Sequence, residues 1–300
     1  MENIHKKYTF SLLGGDRRQD VIANELIKRG HRVKLFGLAE YSLCCSGAEI
    51  YQSAEKAIAE GDAIILPLPV TRDNNHLSAQ SVLKLDEIIK LATKYNVKHI
   101  LGGIMPVEFT RCCNACGIDT YDYYKDLTLQ EKNALPSAEG ALMIAMENTE
   151  ITVSGMKVLI SGYGRIGSLL ASILKNLGAS VTVAVRRDEV LCDVLMSGYK
   201  ATKIDLSSAS GFAANENYDV IFNTVPNIIF TDKVIEEIKN KPLYIEIASQ
   251  PGGIDITQAR KAGIKTVFAP SLPGKYSPIS AGRYIFETIS EMLSEGGIII

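Results

Sequence analysis

The sequence predicts an α/β protein with two doubly wound parallel sheets. Short apolar segments alternate with helical segments in both halves of the chain, which is typical of parallel sheets covered by helices on both faces. A glycine-rich turn joins a strand to a helix near the middle of the sequence. The chain has 300 residues, 46% of them hydrophobic, which is enough for two separate cores.

The first half contains four predicted strands, at residues 8–13, 32–36, 63–66 and 98–101. Helical patterns follow the first strand, ending near Lys28 before Gly30, and cover residues 81–95. Gly14 and Gly15 follow the first strand without a further spaced glycine, so we do not expect a second dinucleotide site here.

Two arginines of this half lie beyond the carboxyl ends of strands, where a parallel sheet binds its ligands. Arg17 follows Gly14, Gly15 and Asp16 after the first strand, and Arg72 follows the third strand. Either guanidinium could hold a substrate carboxylate through paired hydrogen bonds. The alternative for each is a plain solvent-exposed arginine, and both interpretations stay open.

The six cysteines include two adjacent pairs, Cys44-Cys45 and Cys112-Cys113. Cys113 and Cys116 form one C-x-x-C pattern late in a helical segment, without the further ligands that a metal site needs. We therefore expect reduced thiols, no metal site and a cytoplasmic location.

The overall charge argues against two classes of partner. The formal net charge is −2, which gives no reason to expect nucleic acid or an anionic membrane surface. Residues 1–7 lack the apolar stretch of a secretory signal, and no uninterrupted apolar segment is long enough to span a bilayer. We expect neither nucleic acid nor a membrane as partner.

A helix is predicted from residue 135 to about 148, with Ser137 as its N-cap. It leads into the second half of the chain, and the last predicted helix, over residues 279–293, is expected to pack back on the first half. The predicted division is therefore a flavodoxin-like, substrate-side domain of residues 1–134 with about 280–300, and a nucleotide-binding Rossmann domain of residues 135–279.

The glycine-rich turn follows a predicted strand at residues 158–160. Gly162, Gly164 and Gly167 match G-x-G-x-x-G, and an apolar helical stretch follows. In a dinucleotide-binding turn these glycines allow, in order, the tight turn, the approach of a pyrophosphate and the close packing of helix and strand. The predicted cofactor contacts here are Gly162, Tyr163, Gly164, Arg165 and Ile166.

The next strand, at residues 180–185, ends at Arg186 and Arg187, about twenty residues after the turn. An NAD enzyme usually has an Asp or Glu here that binds the ribose 2′-hydroxyl, whereas two guanidinium groups suit a 2′-phosphate. The sequence therefore predicts NADP rather than NAD. The alternative is a solvated arginine pair before a helix capped by Asp188.

The carboxyl end of the strand at residues 220–223 supplies further candidates. In this fold the loop after the fourth strand lies against the cofactor, so Asn223, Thr224 and Pro226 are predicted to border the nicotinamide. The strands of both halves together predict two Rossmann-like domains with a cleft between them, similar to 2-hydroxy acid dehydrogenases.

The last two loops contain Ser249 and Lys275. Such loops normally form the wall of a site, although the stretch around Lys275 could be a plain connector. A 2-hydroxy acid dehydrogenase usually takes a histidine base from the later loops of its nucleotide domain, but all four histidines here precede the glycine turn. Lys275 is a conceivable base if it is buried, and a contact to a substrate carboxylate is its simpler role.

Six short segments are spread over nearly the whole chain: GGDRRQ at 14–19, PSAEG at 136–140, GYGRIG at 162–167, NTVP at 223–226, ASQPGG at 248–253 and LPGK at 272–275. The glycine turn is shared with many enzymes, whereas the full ordered set is specific. In this order the segments resemble the family formed by the A subunit of dipicolinate synthase.

The resemblance implies an NADP-dependent oxidoreductase of bacterial sporulation, located in the mother-cell cytoplasm. Its substrate would be a dihydrodipicolinate-type dicarboxylate from the lysine pathway, oxidised to pyridine-2,6-dicarboxylate. Its partner would be the B subunit of dipicolinate synthase, similar to flavin-binding decarboxylases. Aromatisation drives this hydride transfer, which fits the absence of a late histidine. In this hypothesis the catalytic residues would be Arg17, Lys275 and Ser249. Arg17 and Lys275 would hold the carboxylates of the substrate. Either Ser249 or Thr224 would orient its ring.

Two other functions stay open. One is an NAD(P)-dependent 2-hydroxy acid dehydrogenase, and the other is a cofactor-binding scaffold that is inactive without its partner. The sequence also leaves open whether the substrate is the dihydro or the hydroxylated tetrahydro compound, and whether the chain forms a homo-oligomer.

Overall fold

The computed structural model describes residues 6–38, 47–205, 211–214, 216–298 and 300, and within these ranges two parallel six-stranded sheets form the framework. The predicted α/β class with two doubly wound sheets is confirmed. The chain separates into unit 1, Met1–Asn133 with Ser277–Ile300, and unit 2, Ala134–Tyr276. The boundaries expected from the sequence, after 134 and near 279, lie within a few residues of these. The predicted cleft between the domains stays a prediction.

Unit 1 contains the first six strands in the order β3-β2-β1-β4-β5-β6. The strands are β1 Thr9–Leu13, β2 Arg32–Phe36, β3 Glu49–Ile50, β4 Ala63–Ile65, β5 His99–Gly102 and β6 Asp119–Asp122. Without the two-residue β3, this is the flavodoxin-like order expected for this unit. With β3 it is the order of a dinucleotide-binding sheet, which reverses direction between β1 and β4.

Helices cover both faces of this sheet. They are α1 Arg17–Lys28, α2 Ala54–Ile58, α3 Leu85–Lys94, α4 Val107–Ala115, the start of α5 Leu127–Asn148, and α11 Pro278–Glu295. The sequence favours burial on both faces because β1 and β4 are almost continuously apolar.

The helices α1 and α11 pack closely against each other in unit 1. A Cβ on Gly282 would lie 2.7 Å from the Val21 Cβ and 2.9 Å from the Arg18 carbonyl oxygen, so this glycine allows the approach. Ile285 and Ile289 of α11 then enter the same core as the apolar face of α1. The last helix of the chain is therefore part of the core of unit 1.

Unit 2 has the order β12-β11-β10-β7-β8-β9, with the direction reversing between β7 and β10. Its strands are β7 Lys157–Ser161, β8 Ser180–Val185, β9 Lys200–Lys203, β10 Val220–Asn223, β11 Leu243–Glu246 and β12 Thr266–Phe268. Its helices are the rest of α5, α6 Arg165–Asn176, α7 Asp188–Met196, α8 Asp232–Glu237, α9 Ile256–Lys261 and α10 Leu272–Tyr276.

The helix expected to begin at residue 135 begins eight residues earlier, as α5 at Leu127. The Asp126 carboxylate accepts a hydrogen bond from the Leu129 N–H at 2.6 Å, and so provides an acceptor for an N–H group of the first turn that has none within the helix. Pro136 lies inside the helix, where it removes one backbone hydrogen bond without ending it. The predicted N-cap at Ser137 is therefore wrong, and this side chain is buried in the middle of α5.

The cysteine cluster lies on α4 and at its end. Cys112, Cys113 and Cys116 are free thiols, and burial raises the pKa of Cys113 to about 12, which disfavours a reactive thiolate. Cys44 and Cys45 lie outside the described residues. Within the described ranges no group of His, Cys, Asp and Glu side chains could hold a metal ion, and no helix there is long and apolar enough to cross a membrane.

Replacing Gly282 by Val is expected to destabilise unit 1 by about 2 kcal/mol, because the new side chain overlaps α1. Native-state hydrogen exchange of the α1 amides measures the free energy of unfolding of unit 1 separately from that of unit 2. Ser280→Val, at an exposed site on the same helix, is the control for β-branching. Equal losses in the two variants would contradict the packing role of Gly282.

Candidate functional site

The glycine turn of unit 2 follows β7 directly and leads into α6. Gly162 has φ +95°, a left-handed conformation that favours glycine. A Cβ there would collide with the Thr224 hydroxyl, which donates a hydrogen bond to the Ser161 carbonyl at 2.7 Å. A side chain at Gly162 would therefore disturb the contact between the turn and the loop after β10.

The other two glycines of the motif have different roles. A Cβ on Gly167 would collide with the Gly162 carbonyl, so glycine lets α6 pack closely against the turn. A Cβ on Gly164, the N-cap of α6, would meet no atom within 4 Å. The first N–H groups of a helix lack partners within it, and the open space beside Gly164 lets a phosphate reach them. The turn can therefore hold the pyrophosphate of a dinucleotide.

A pocket of about 260 Å³ lies against this turn. Its wall includes Tyr163, Val185 and Ile229, whose apolar surface suits an adenine ring. Arg186 and Arg187 line the same pocket, and both residues are exposed at the end of β8. The pocket thus brings together two cations, an apolar wall and the phosphate-binding turn.

The two arginines keep their charge available to a ligand. In the part of the chain that the structure describes, no carboxylate pairs with Arg186 or Arg187. The nearest acid in sequence, Asp188, pairs with Lys203 at 2.5 Å. The N-cap of α7 is Arg187, so the alternative in which Asp188 caps the helix is wrong. An anion that enters the pocket meets both guanidinium groups without a competing acid among these residues.

A buried carboxylate lies at the carboxyl end of β11. Glu246 is 2% exposed, and no Lys or Arg side chain of the described residues pairs with it. It accepts hydrogen bonds from the Asn223 amide at 2.7 Å, the Gly253 N–H at 2.7 Å, the Tyr244 hydroxyl at 3.0 Å and the Ala248 N–H at 3.1 Å. This network ties the loop after β10 to the loop after β11.

The structure corrects the role predicted for Asn223. Its side chain is fully buried, donates to Glu246 and to the Val225 carbonyl, and accepts from the Val225 N–H at 3.2 Å. Because its side chain has no exposed surface, Asn223 can act on a cofactor only through the loop that it positions, in which Val225 lines the pocket. Sequence reasoning missed Glu246 because its partners lie up to 23 residues away. The glycine pair after Pro251 was the available signal, since a Cβ on Gly253 would collide with the Asn223 amide.

The other residues predicted from the sequence occupy varied surroundings. Thr224 is half-buried, and Pro226 is exposed. Arg165 is the exposed first residue of α6, and the Ile166 side chain packs against the core, which leaves its backbone as the group available to a phosphate. Tyr163 lines the pocket, and its contact with a cofactor stays a prediction.

The two catalytic candidates of unit 2 are both exposed. Ser249 lies in the loop that Glu246 holds from both sides, through the N–H groups of Ala248 and Gly253. Lys275 lies on the short helix α10, with its Nζ 4.8 Å from the centre of the Tyr276 ring. Lys275 is exposed and so lacks the burial that the role of a base would require, and its contact to a carboxylate stays a prediction.

Unit 1 has its own pocket, of about 480 Å³, beyond β1 and β4. Asp16 caps α1 through the Arg18 N–H, and the Arg18 guanidinium returns two hydrogen bonds to this carboxylate at 2.8 Å. The buried Arg18 also donates to the Leu68 carbonyl, so it ties the loop after β1 to the loop after β4. The catalytic candidate Arg17 is exposed at the first position of α1.

Two acids at this helix start have opposite pKa shifts. Burial acts to raise the pKa of Asp16, but hydrogen bonds and charge from Arg18 lower it on balance. Burial raises the pKa of Asp20 to about 7, against the lowering effect of the Arg17 charge. Arg18 therefore keeps Asp16 ionised as part of a neutral pair.

Two family models match the chain. One, described as the N-terminal domain of the A subunit of dipicolinate synthase, matches residues 9–124. The other, described as pyridine nucleotide-disulphide oxidoreductase, matches residues 157–205, which contain the glycine turn and the arginine pair.

Known proteins resemble the chain along its length. The curated A subunit of dipicolinate synthase from Bacillus subtilis (strain 168) is 28% identical over 290 residues, covering 95% of each chain. The crystal structure of the same subunit from Bacillus halodurans is 27% identical with a TM-score of 0.81, covering 97% of this chain and 99% of that one. D-lactate dehydrogenase from Escherichia coli, 12% identical with a TM-score of 0.62 over 96% and 97% of the chains, shows the fold alone.

These similarities confirm the predicted resemblance to the A subunit of dipicolinate synthase. The chain is a dehydrogenase-like oxidoreductase whose second unit binds a pyridine nucleotide, NAD or NADP. Both relatives are named as one lettered subunit of an enzyme, which implies further subunits for those proteins.

Replacing Glu246 by Gln is expected to destabilise unit 2 by about 1–3 kcal/mol. Glutamine has an NH2 group where glutamate has its second oxygen. This NH2 group cannot accept a hydrogen bond, so at least one donor of the network loses its acceptor. Faster hydrogen exchange of the Gly253 N–H measures the effect locally. Glu236→Gln on the exposed face of α8 is the control, and an equally small change in both variants would contradict the role of Glu246.

Proposed function

We propose that the chain oxidises a dihydrodipicolinate-type ring to pyridine-2,6-dicarboxylate, with NADP as the hydride acceptor. The observation that carries the proposal is the pocket in which the open phosphate-binding turn lies beside two arginines that have no carboxylate partner among the described residues. The similarity to the A subunit of dipicolinate synthase over nearly the whole chain supports the substrate class. The specific substrate and NADP go beyond that similarity.

The preference for NADP rests on charge. In NAD enzymes an acid after the second strand binds the ribose 2′-hydroxyl and repels a 2′-phosphate. Here that position holds Arg186 and Arg187, and the following acid is neutralised by Lys203. The planar guanidinium forks can hold a phosphate through paired, charge-assisted hydrogen bonds.

The proposed reaction needs little acid–base catalysis by the protein. Oxidation of the dihydropyridine ring removes one hydride, which NADP accepts, and one proton, which passes to solvent. Because the product ring is aromatic, the main task of the site is to hold the substrate near the nicotinamide in a productive orientation. No histidine occurs in unit 2, and this mechanism does not require one.

Three side chains are proposed to hold the substrate. Arg17 and Lys275 are exposed cations suited to carboxylates. Ser249 is the better of the two hydroxyl candidates for orienting the ring, because the Thr224 hydroxyl already donates its proton to the Ser161 carbonyl.

The wider context of the reaction follows from the same resemblance. We propose unit 1 as the substrate-side domain and unit 2 as the NADP-binding domain. The proposed partner is the B subunit of dipicolinate synthase, a flavoprotein-like chain, and the proposed location is the mother-cell cytoplasm of a sporulating bacterium.

The double variant Arg186→Ala with Arg187→Ala is expected to raise the KM for NADP at least about tenfold and to change the KM for NAD little. Only NADP carries the 2′-phosphate that these cations would hold. Steady-state kinetics with each cofactor measures the difference. Arg260→Ala, an exposed arginine on α9, is the control. Equal losses for both cofactors would contradict the assignment.

The activity itself is tested with NADP and an enzymatically generated dihydrodipicolinate precursor, with the flavoprotein-like partner present or left out. We expect NADPH and pyridine-2,6-dicarboxylate to form in equal amounts. The ultraviolet absorbance of each product measures its amount. Arg17→Ala and Lys275→Ala are each expected to lower turnover while NADP binding is retained, since neither residue belongs to the cofactor pocket.

Four results would change the proposal. Unchanged turnover in both variants would contradict the roles of Arg17 and Lys275. NADP binding without turnover, in the presence of substrate and partner, would overturn the proposed function. Turnover that requires the partner would favour a cofactor-binding scaffold, and activity on simple 2-keto acids would favour a 2-hydroxy acid dehydrogenase.

A further inference from the structure

We infer that Glu246 is a positioning residue that links the wall of the cofactor pocket to the loop containing Ser249. Through this link, cofactor and substrate each strengthen the binding of the other. The inference rests on the proposed function for the substrate and for the role of Ser249. It assigns a task to a buried carboxylate that the proposed reaction does not use.

Glu246 is the last residue of β11, a strand that lies between β10 and β12 and is otherwise apolar or aromatic. An ionised carboxylate is costly to bury unless hydrogen bonds take the place of water. In the described ranges no cation pairs with this one. The strand itself does not require such a side chain, whereas its place at the carboxyl edge is where these sheets bind their ligands.

The two oxygens of Glu246 bind different parts of the chain. Oε1 accepts from the Asn223 amide at 2.7 Å and from the Ala248 N–H at 3.1 Å. Oε2 accepts from the Gly253 N–H at 2.7 Å and from the Tyr244 hydroxyl at 3.0 Å. Because donors hold both oxygens, the carboxylate cannot rotate without leaving some of these buried donors unpaired. Its orientation is therefore fixed.

The loop with Ser249 is held by this carboxylate at both ends. Ala248 precedes Ser249, Gly253 follows the turn, and both backbone N–H groups donate to Glu246. Between them the Ser249 carbonyl accepts from the Gly252 N–H at 3.0 Å, which closes the turn. A Cβ on Gly252 would lie 3.0 Å from Oε2 of Glu246, so the turn packs directly on the carboxylate. The position of Ser249 thus depends on Glu246.

The wall of the cofactor pocket is held by the same carboxylate along two routes. The Asn223 amide donates both to Glu246 and to the Val225 carbonyl, the latter at 2.9 Å. Gly253 donates its N–H to Glu246, and its carbonyl accepts from the Ile229 N–H at 3.0 Å. Val225 and Ile229 both line the pocket. A ligand that restrains these wall residues therefore also restrains Glu246.

This arrangement couples two ligands, because each orders groups that the other needs. A cofactor in the pocket restrains Val225 and Ile229, and Glu246 transmits that restraint to the loop with Ser249. A substrate that binds Ser249 then meets a loop that is already ordered, which lowers the entropic cost of its binding. Thermodynamic linkage makes the effect reciprocal, so the substrate strengthens cofactor binding by the same factor.

The test is calorimetric titration of pyridine-2,6-dicarboxylate into the protein, without NADP and with saturating NADP. These two ligands cannot react with each other, because the dicarboxylate is the product of the proposed oxidation and NADP is its oxidant. The ratio of the two dissociation constants is the coupling factor, and we expect it to be at least about fivefold in the unaltered protein.

Glu246→Gln is expected to lower the coupling factor at least about threefold. An amide accepts hydrogen bonds at only one of the two oxygen positions, so one connection between the loops is lost. A merely structural role would not change this factor, because both titrations measure binding to the folded protein.

The matched control is Asp219→Asn. This carboxylate also belongs to unit 2 and accepts a backbone N–H, that of Lys157 at 2.8 Å, but it lies just before β10, at the opposite edge of the sheet. The same chemical change is expected to leave the coupling factor unaltered there. Asn223→Ala is a second variant, which removes the route to Val225 and is expected to lower the factor as well. Thermal melting checks that each variant is folded.

An unaltered coupling factor in Glu246→Gln and Asn223→Ala would overturn the inference and leave the proposed function intact. Equal affinity for the dicarboxylate with and without NADP in the unaltered protein would do the same, as would an equal loss of coupling in Asp219→Asn. If the unaltered protein binds NADP but not the dicarboxylate, the proposed substrate class fails and the inference fails with it.

Discussion

Backbone N–H groups at the carboxyl edges of the two sheets need acceptors, and the source of those acceptors decides what each unit can bind. In both units the N–H of the first glycine bonds to the end of the second strand, from Gly14 to Phe36 and from Gly162 to Ala184. Beyond that bond the units differ. In unit 2 the space beside Gly164 is open, so a phosphate can supply the acceptors. In unit 1 the Ser78 carbonyl accepts from the Gly15 N–H at 2.8 Å, so this donor is not available to a phosphate.

In unit 2 the side chain of Glu246 also supplies acceptors to backbone N–H groups at the edge of the sheet. The carboxylate of Glu246 is far from solvent, where an uncompensated charge would be costly, and hydrogen bonds from backbone and side chains take the place of water. These donors come from the loops after β10 and β11. The conformations of the two loops are therefore coupled. A change in the loop after β11 would alter the loop after β10, which forms part of the wall of the cofactor pocket.

Local patterns in the sequence pointed to the glycine turn and the arginine pair, which the structure brings to one pocket, because both patterns lie within short stretches of the chain. The same local rules failed for α5, where Ser137 was predicted as the N-cap but the helix begins after Asp126 and continues through Pro136. They also failed for Asn223, whose orientation depends on Glu246 in another strand. The roles of Arg18 and Glu246 follow from contacts between distant segments, which periodicity does not report. The strands were predicted where they were apolar, and the two-residue β3 was too short to give a signal.

Unit 1 is interrupted by unit 2, since α11 completes its core only after residue 277. On the ribosome, unit 2 has its whole sequence available before unit 1 does, and domains fold as units when their sequence is complete. Unit 1 is thus expected to fold after unit 2, although most of its sequence is synthesised first. Its first segment cannot complete its core until α11 has been synthesised. Limited proteolysis of stalled nascent chains would detect this as earlier protection of unit 2. Until α11 emerges, the face of α1 that meets Gly282 stays uncovered, so apolar surface of unit 1 is exposed during synthesis.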